Sequence, residues 1–175
     1  MKMKTITVFG SSLPKEGEKE FQTAYELGKK LGQNGFNVCS GGYQGIMNAV
    51  SKGAAETGAE AIGITVDIFN AAPSKYLTKE IQCDSLFERI EKLISTGDAY
   101  IILNGGTGTL VELSIVWEYA NKGLMKGKPV CCLGKMWEPI IKTIDERMAY
   151  EGRKTGIVKC FENANDCVEY LRLSV

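Results

Sequence analysis

A chain of 175 residues with 44% hydrophobic and 24% charged side chains has the make-up of one water-soluble globular domain, spanning 1–175, with enough material for a proper core. Lysine plus arginine and aspartate plus glutamate balance at 21 each, so charge points to neither nucleic acid nor a membrane as partner. There is no histidine, which removes histidine-based catalysis, makes a zinc site unexpected and leaves no reason to expect a metal or other cofactor.

In chain order, Thr5-Ile6-Thr7-Val8-Phe9 is a β-rich run that ends at Gly10-Ser11-Ser12, and a polar loop with Pro14 follows. Phe21, Ala24, Leu27, Gly28 and Leu31 then recur at helical spacing, with Asn34-Gly35 as the stop signal. This strand–loop–helix unit puts Gly10, Ser11 and Ser12 at the carboxyl end of a strand, where open α/β sheets bind ligands. Phe36–Cys39 begins a second unit, in which Ser40-Gly41-Gly42-Tyr43-Gln44-Gly45 precedes a helix marked by Ile46, Met47, Val50, Ala54 and Ala55. Neither G-x-G-x-x-G nor G-x-x-x-x-G-K-[ST] is present, which excludes the standard dinucleotide fingerprint and the P-loop. Gly41, Gly42 and Gly45 are either an anion cradle before a helix start or an ordinary glycine turn.

Ala61–Val66 is a third buried strand. Asp67 to Thr78 has no clear period and is long enough for a surface loop over a pocket. After a brief strand at Glu80–Cys83, Leu86, Phe87, Ile90, Leu93 and Ile94 form a helical stripe, with Asp84 or Ser85 as N-cap. Arg89 and Lys92 fall on the face away from that stripe, where side chains are ordinarily solvated.

The stretch from Asp98 to Glu112 is the densest in chemistry. Ala99-Tyr100-Ile101-Ile102-Leu103 runs into Asn104-Gly105-Gly106-Thr107-Gly108-Thr109, and an apolar helix continues to Asn121-Lys122-Gly123. Strand, glycine-rich turn and helix in that order are either a phosphate site, with backbone N–H groups and the positive helix end converging on one opening, or an ordinary glycine turn; three glycines and two threonines in five positions favour the site. Thr109 is placed to serve as N-cap. Glu112 then either points back over the opening as an acid or merely closes an S/T-x-x-E capping box.

Leu124–Lys128 reads as an exposed loop and Pro129–Leu133 as another buried strand. Ile140, Ile141, Ile144 and Met148 give a helix with Pro139 in its first turn, and Gly156–Phe161 with a helix over about Asn165–Leu171 closes the chain. Strands alternating with helices predict a doubly wound, mostly parallel, Rossmann-like α/β sheet covered on both faces. The helix after Gly108 carries Leu110, Val111, Leu113, Ile115, Val116, Trp117, Tyr119 and Ala120; it is either a central core helix or the face of a homodimer. The six cysteines form no C-x-x-C pair, and Cys39, Cys131 and Cys160 lie in apolar runs, as reduced buried thiols of a cytoplasmic protein would. Met1-Lys2-Met3-Lys4 leading straight into a strand predicts no secretory leader, and no apolar run approaches membrane-spanning length.

Gly105-Gly106-Thr107-Gly108-Thr109-Leu110-Val111-Glu112 resembles the G-G-x-G-T-x-x-E signature of the LONELY GUY (LOG) family. Ser40–Met47 resembles that family's other glycine motif, and Val8–Ser12 its opening strand and loop, so the likeness runs in order from about Thr5 to Leu133. The resemblance implies a Rossmann-like homodimer that splits a nucleoside 5′-monophosphate such as AMP into free base and ribose 5-phosphate. By the same resemblance, Gly105 to Thr109 would hold the phosphate, Glu112 and Arg89 would be catalytic, and Gly10 and Ser11 would line the base pocket. A carboxylate fits that chemistry, because breaking an N-glycosidic bond builds positive charge on the ribose; Asp67 is the candidate for a second one. The chain departs from the pattern at Asn104, where the family has proline, and at Leu86-Phe87-Glu88-Arg89-Ile90, which keeps the arginine without its His and Lys neighbours. Nothing resembles a pyridoxal-phosphate lysine site, the basis of the family's old decarboxylase label. The alternative is a non-catalytic carrier of a phosphorylated ligand, since molybdenum-cofactor carriers resemble this family's fold and glycine motifs.

Overall fold

The computed structural model describes residues 3–125 and 127–175; Lys126 of the expected exposed loop lies outside them. The strands are β1 (Thr5–Phe9), β2 (Asn37–Ser40), β3 (Ala61–Val66), β4 (Lys79–Cys83), β5 (Ala99–Ile102), β6 (Val130–Leu133) and β7 (Val158–Phe161). The helices are α1 (Lys19–Gln33), α2 (Ile46–Ala55), α3 (Leu86–Thr96), α4 (Thr107–Asn121), α5 (Glu138–Tyr150) and α6 (Ala164–Ser174). All seven strands form one sheet in the order β4-β3-β2-β1-β5-β6-β7, and the paired strands run parallel. This is a doubly wound, Rossmann-like fold. No helix among the described residues is long and apolar enough to cross a membrane.

The side-chain period of two along each strand divides the core between the faces. Ile6, Val8, Ala99 and Ile101 point to the side covered by α1, α2 and α6, where Leu27, Leu31, Val50 and Leu171 pack against them. Phe9, Tyr100 and Ile102 point to the other side, against Leu93 of α3, Leu113 and Val116 of α4, and Ile141 of α5. Each side chain of this size that is fully buried contributes about 1.5–3 kcal/mol. On the first face, α1 and α2 meet backbone to backbone: a Cβ on Gly28 would lie 2.2 Å from Val50 O, and one on Gly53 2.1 Å from Tyr25 O.

The chain winds outward from β1 to β4, then crosses back and adds β5 on the other side of β1. The turns after β1 and β5 therefore diverge at their carboxyl ends and leave a crevice, the position at which this topology binds ligands. Two expectations fail here. Met125 is buried, under the α4 side of the sheet, although its neighbour Leu124 is 68% exposed. Cys160 is exposed because β7 is an edge strand with one open face, while the other five cysteines are buried; all six are free.

Candidate functional site

Three turns are stitched together at the crevice. Ser11 N donates to Asn104 O at 2.9 Å, and Ile46 N donates to Ser11 O at 2.8 Å, so the ends of β1, β5 and the start of α2 share one hydrogen-bonded seam. Trp137, fully buried, donates its Nε1–H to Leu103 O at 2.9 Å and fixes the last step of β5 from below.

Helix α4 starts earlier than the sequence pattern indicates. Gly106, extended at φ −93° and ψ −151°, is the N-cap, and Thr109 is the third helical residue. No capping box forms, since Thr109 is buried against Gly105, where an added Cβ would lie 2.1 Å from Thr109 Oγ1. The first intrahelical bond runs from Leu110 N to Gly106 O. The N–H groups of Thr107, Gly108 and Thr109 thus precede the helix's own ladder, the position from which helix starts bind anions. A Cβ on Gly106 or Gly108 would meet nothing within 4 Å. This end of α4 is open.

It opens into a cleft of about 560 Å³ whose walls bring together Gly10, Ser11, Ser12, Arg89, Gly106, Thr107, Gly108, Thr109 and Glu112. Glu112 stands in the second turn of α4, half-buried, freed of the capping role. Burial pushes its carboxyl up to about 7, against the downward pull of the Arg89 charge. A carboxyl poised there exchanges a proton readily near neutral pH.

Arg89 is not solvated as its helix face led us to expect; Lys92 is exposed, but Arg89 keeps only 7% of its surface in water. Its Nε donates to Ile64 O at 2.7 Å and its Nη2 to Gly41 O at 3.0 Å. The rings of Tyr43 and Phe69 flank the guanidinium, 5.6 and 5.4 Å from its carbon. Burial lowers its pKa, with the Glu112 charge opposing. Ser85, not Asp84, caps its helix, accepting from Glu88 N.

The other predicted residues lie behind the cleft walls. Gly41 has no room for a side chain, because a Cβ would lie 2.0 Å from Arg89 Nη2. Gly42 faces Gly63 and Thr65 across β3, and Gly45, at φ +65°, would drive a Cβ to 2.4 Å from Ser11 O. Asn104 turns away from the cleft, donating through Nδ2 to Glu20 Oε1 at 2.9 Å and lining a separate hollow with Lys19 and Lys135. Asp67 is not brought to Glu112: it lines a neighbouring depression with Asn70 and Glu80 and accepts from Gln82 Nε2. Sequence reasoning did not name Tyr43, Met47, Phe69, Ala71 and Leu13 as cleft residues; Tyr43 and Met47 sit within the second glycine motif, and the aperiodic length of 67–78 was the signal for Phe69 and Ala71. Among the described residues no group of three or more Cys, Asp or Glu is gathered as a metal would require.

Comparison with known proteins matches residues 3–161 to the SLOG cluster4 family. The cytokinin riboside 5′-monophosphate phosphoribohydrolase of Rhodococcoides fascians is 29% identical over 155 residues, 85% of this chain and 77% of that one. The enzyme LOG of Oryza sativa subsp. japonica, of the same description, is 32% identical over 134 residues, and the match spans about half (52%) of its length and 70% of this chain. The molybdenum cofactor carrier protein of Chlamydomonas reinhardtii superposes with a TM-score of 0.78 over 98% of both chains, at 22% identity, a likeness of fold.

Proposed function

The chain belongs to the SLOG cluster4 family, and from that premise we propose that its cleft binds a small phosphorylated ligand, a nucleoside monophosphate in the first instance. One observation carries this reading: the first turn of α4 is open, side-chain-free at Gly106 and Gly108, and faces the same cleft as Glu112. Phosphate on the N–H groups of Thr107, Gly108 and Thr109 satisfies donors the helix leaves over and meets its positive end. Ser11, Ser12 and the seam behind them bound the rest of the ligand.

Glu112 then decides between two outcomes. In a phosphoribohydrolase, its carboxylate stabilises the cationic sugar and takes a proton from water, whose oxygen bonds C1′ as the C1′–N bond breaks; the bonding pair leaves with the base, which receives that proton and restores the carboxylate. Burial near Arg89 supports that role, as does the relative from R. fascians. In a carrier, the same cleft holds its ligand unaltered. Two observations favour this second reading: among the described residues Glu112 is the one carboxylate lining the cleft, with Asp67 elsewhere, and the carrier likeness extends over nearly the whole of both chains.

Incubation with AMP and a panel of other nucleoside monophosphates, followed by chromatography, separates them. Base release that vanishes in Glu112→Ala is the hydrolase outcome. Thermal stabilisation by the same nucleotides with no base released is the carrier outcome. Absence of both effects would overturn the nucleotide reading.

We also infer a homodimer through α3 and α4. Phe87 is 87%, Tyr119 42% and Leu124 68% exposed, and the three line one groove between α3 and α4, an exposed apolar patch of the kind that marks a protein contact. Light scattering should give twice the 19.1 kDa of one chain; a mass near 19.1 kDa removes the dimer.

A further inference from the structure

The cleft carries apolar surface that a phosphate does not use. Phe69 is 46% and Leu13 80% exposed, and both line it, with Met47 buried alongside. Phe69 comes from a single 3₁₀ turn, Asp67–Phe69, closed by Asn70 in the left-handed region at φ 44°. Its ring meets Tyr43 edge to face, with centroids 5.7 Å apart and planes at 81°. Both groups behind it are fixed. The Tyr43 hydroxyl donates to Val66 O and accepts from Val66 N, and Arg89 is held by Ile64 O and Gly41 O.

A ring braced from behind and bare in front loses little freedom when something flat is laid against it, so contact there is retained as affinity. Aromatic faces accept planar heterocycles in offset or edge-on stacking, with little regard to which heterocycle it is. Position inside a cleft beside the phosphate-binding turn sets Phe69 apart from the flat apolar surface of α3 and α4, which suits a protein partner.

We propose that Phe69 is the stacking platform of this cleft: it stacks on a planar heterocycle joined to the phosphate-bearing end of the ligand, favouring such ligands over a bare sugar phosphate, and Leu13 covers the remaining apolar edge. This rests on the reading of the cleft as a phosphate site. It assigns recognition of the heterocycle to the 67–69 turn and leaves the phosphate to the start of α4.

The test is a calorimetric titration of the full chain with two probes. Formycin 5′-monophosphate carries a planar heterocycle on a carbon–carbon link that hydrolysis does not cleave; ribose 5-phosphate lacks the heterocycle. Phe69→Ala should weaken the first about tenfold and leave the second within about twofold, and Phe69→Tyr should restore the first. A merely structural role would weaken both probes equally, and that outcome overturns the proposal. Unchanged affinity for both overturns it while the phosphate site stands, and a change in solution mass with unchanged affinity reassigns Phe69 to a protein contact. If wild type binds neither probe, the phosphate-site reading fails first and takes this one with it.

Discussion

A Cβ placed on Gly41 would lie 2.0 Å from Arg89 Nη2, and one on Gly45 2.4 Å from Ser11 O, whereas nothing stands within 4 Å of a Cβ on Gly106 or Gly108. The turns after β2 and β5 therefore use the same residue for opposite ends. After β2, glycine lets the protein's own groups close in: the Arg89 guanidinium on one side, the β1 turn on the other. After β5, Gly105 also packs closely, on Thr109, but Gly106 and Gly108 leave the space beside the helix start unoccupied. Counting glycines does not separate a binding loop from a packing loop. What fills the volume of the missing side chains does.

The comparison breaks most visibly by adding one methyl group to each turn. Gly45 sits at φ +65° with backbone on the far side of the missing Cβ, so Gly45→Ala combines left-handed strain with overpacking that no rotamer change relieves. The expected cost is about 3 kcal/mol in urea denaturation. Gly108 is helical and unobstructed, so Gly108→Ala should stabilise the fold by about 0.5–1 kcal/mol through helix propensity. Phosphate affinity should nevertheless fall in that variant, since the methyl group enters the approach to the turn. A well-tolerated Gly45→Ala, or a Gly108→Ala that binds ribose 5-phosphate as wild type does, would show that the two turns are not built differently.

Much of the architecture was legible because buried strands and amphipathic helices leave local patterns. Thr5–Phe9, Ala61–Val66 and Ala99–Ile102 are short apolar or β-branched runs, and α1 and α3 show their stripes. The order of strand, glycine run and helix after β5 was legible for the same reason. The helix cap was not. The spacing from Thr109 to Glu112 imitates a capping box, but an extended Gly106 begins the helix without any side-chain help. Arg89 was named by resemblance, but its burial was out of reach because its partners stand 25 and 48 positions away; helix periodicity sees only its own face. Phe69 was hidden differently, since one 3₁₀ turn and a left-handed Asn70 aim its ring, and neither leaves a periodic trace.

The two turns also differ in how their charges respond to pH, and this gives a smaller, sharper test. Arg89, bonded to the turn after β2, stays charged over any practical range. Glu112, above the turn after β5, titrates at about 7 instead of 4.5 because burial disfavours its ionised form. Between those two values the native chain holds a proton that the unfolded chain has released. Stability from this group is therefore complete below pH 4.5 and is lost as the pH rises through 7. Glu112→Gln imitates the protonated state at every pH. It should match wild type near pH 4.5 and exceed it by on the order of 1–2 kcal/mol once pH passes 7, read from urea denaturation across the range. Parallel stability curves for the two proteins would mean that water reaches the carboxyl freely. The wall of the cleft would then be as open as its mouth, and Glu112 would be an ordinary surface acid beside the turn after β5.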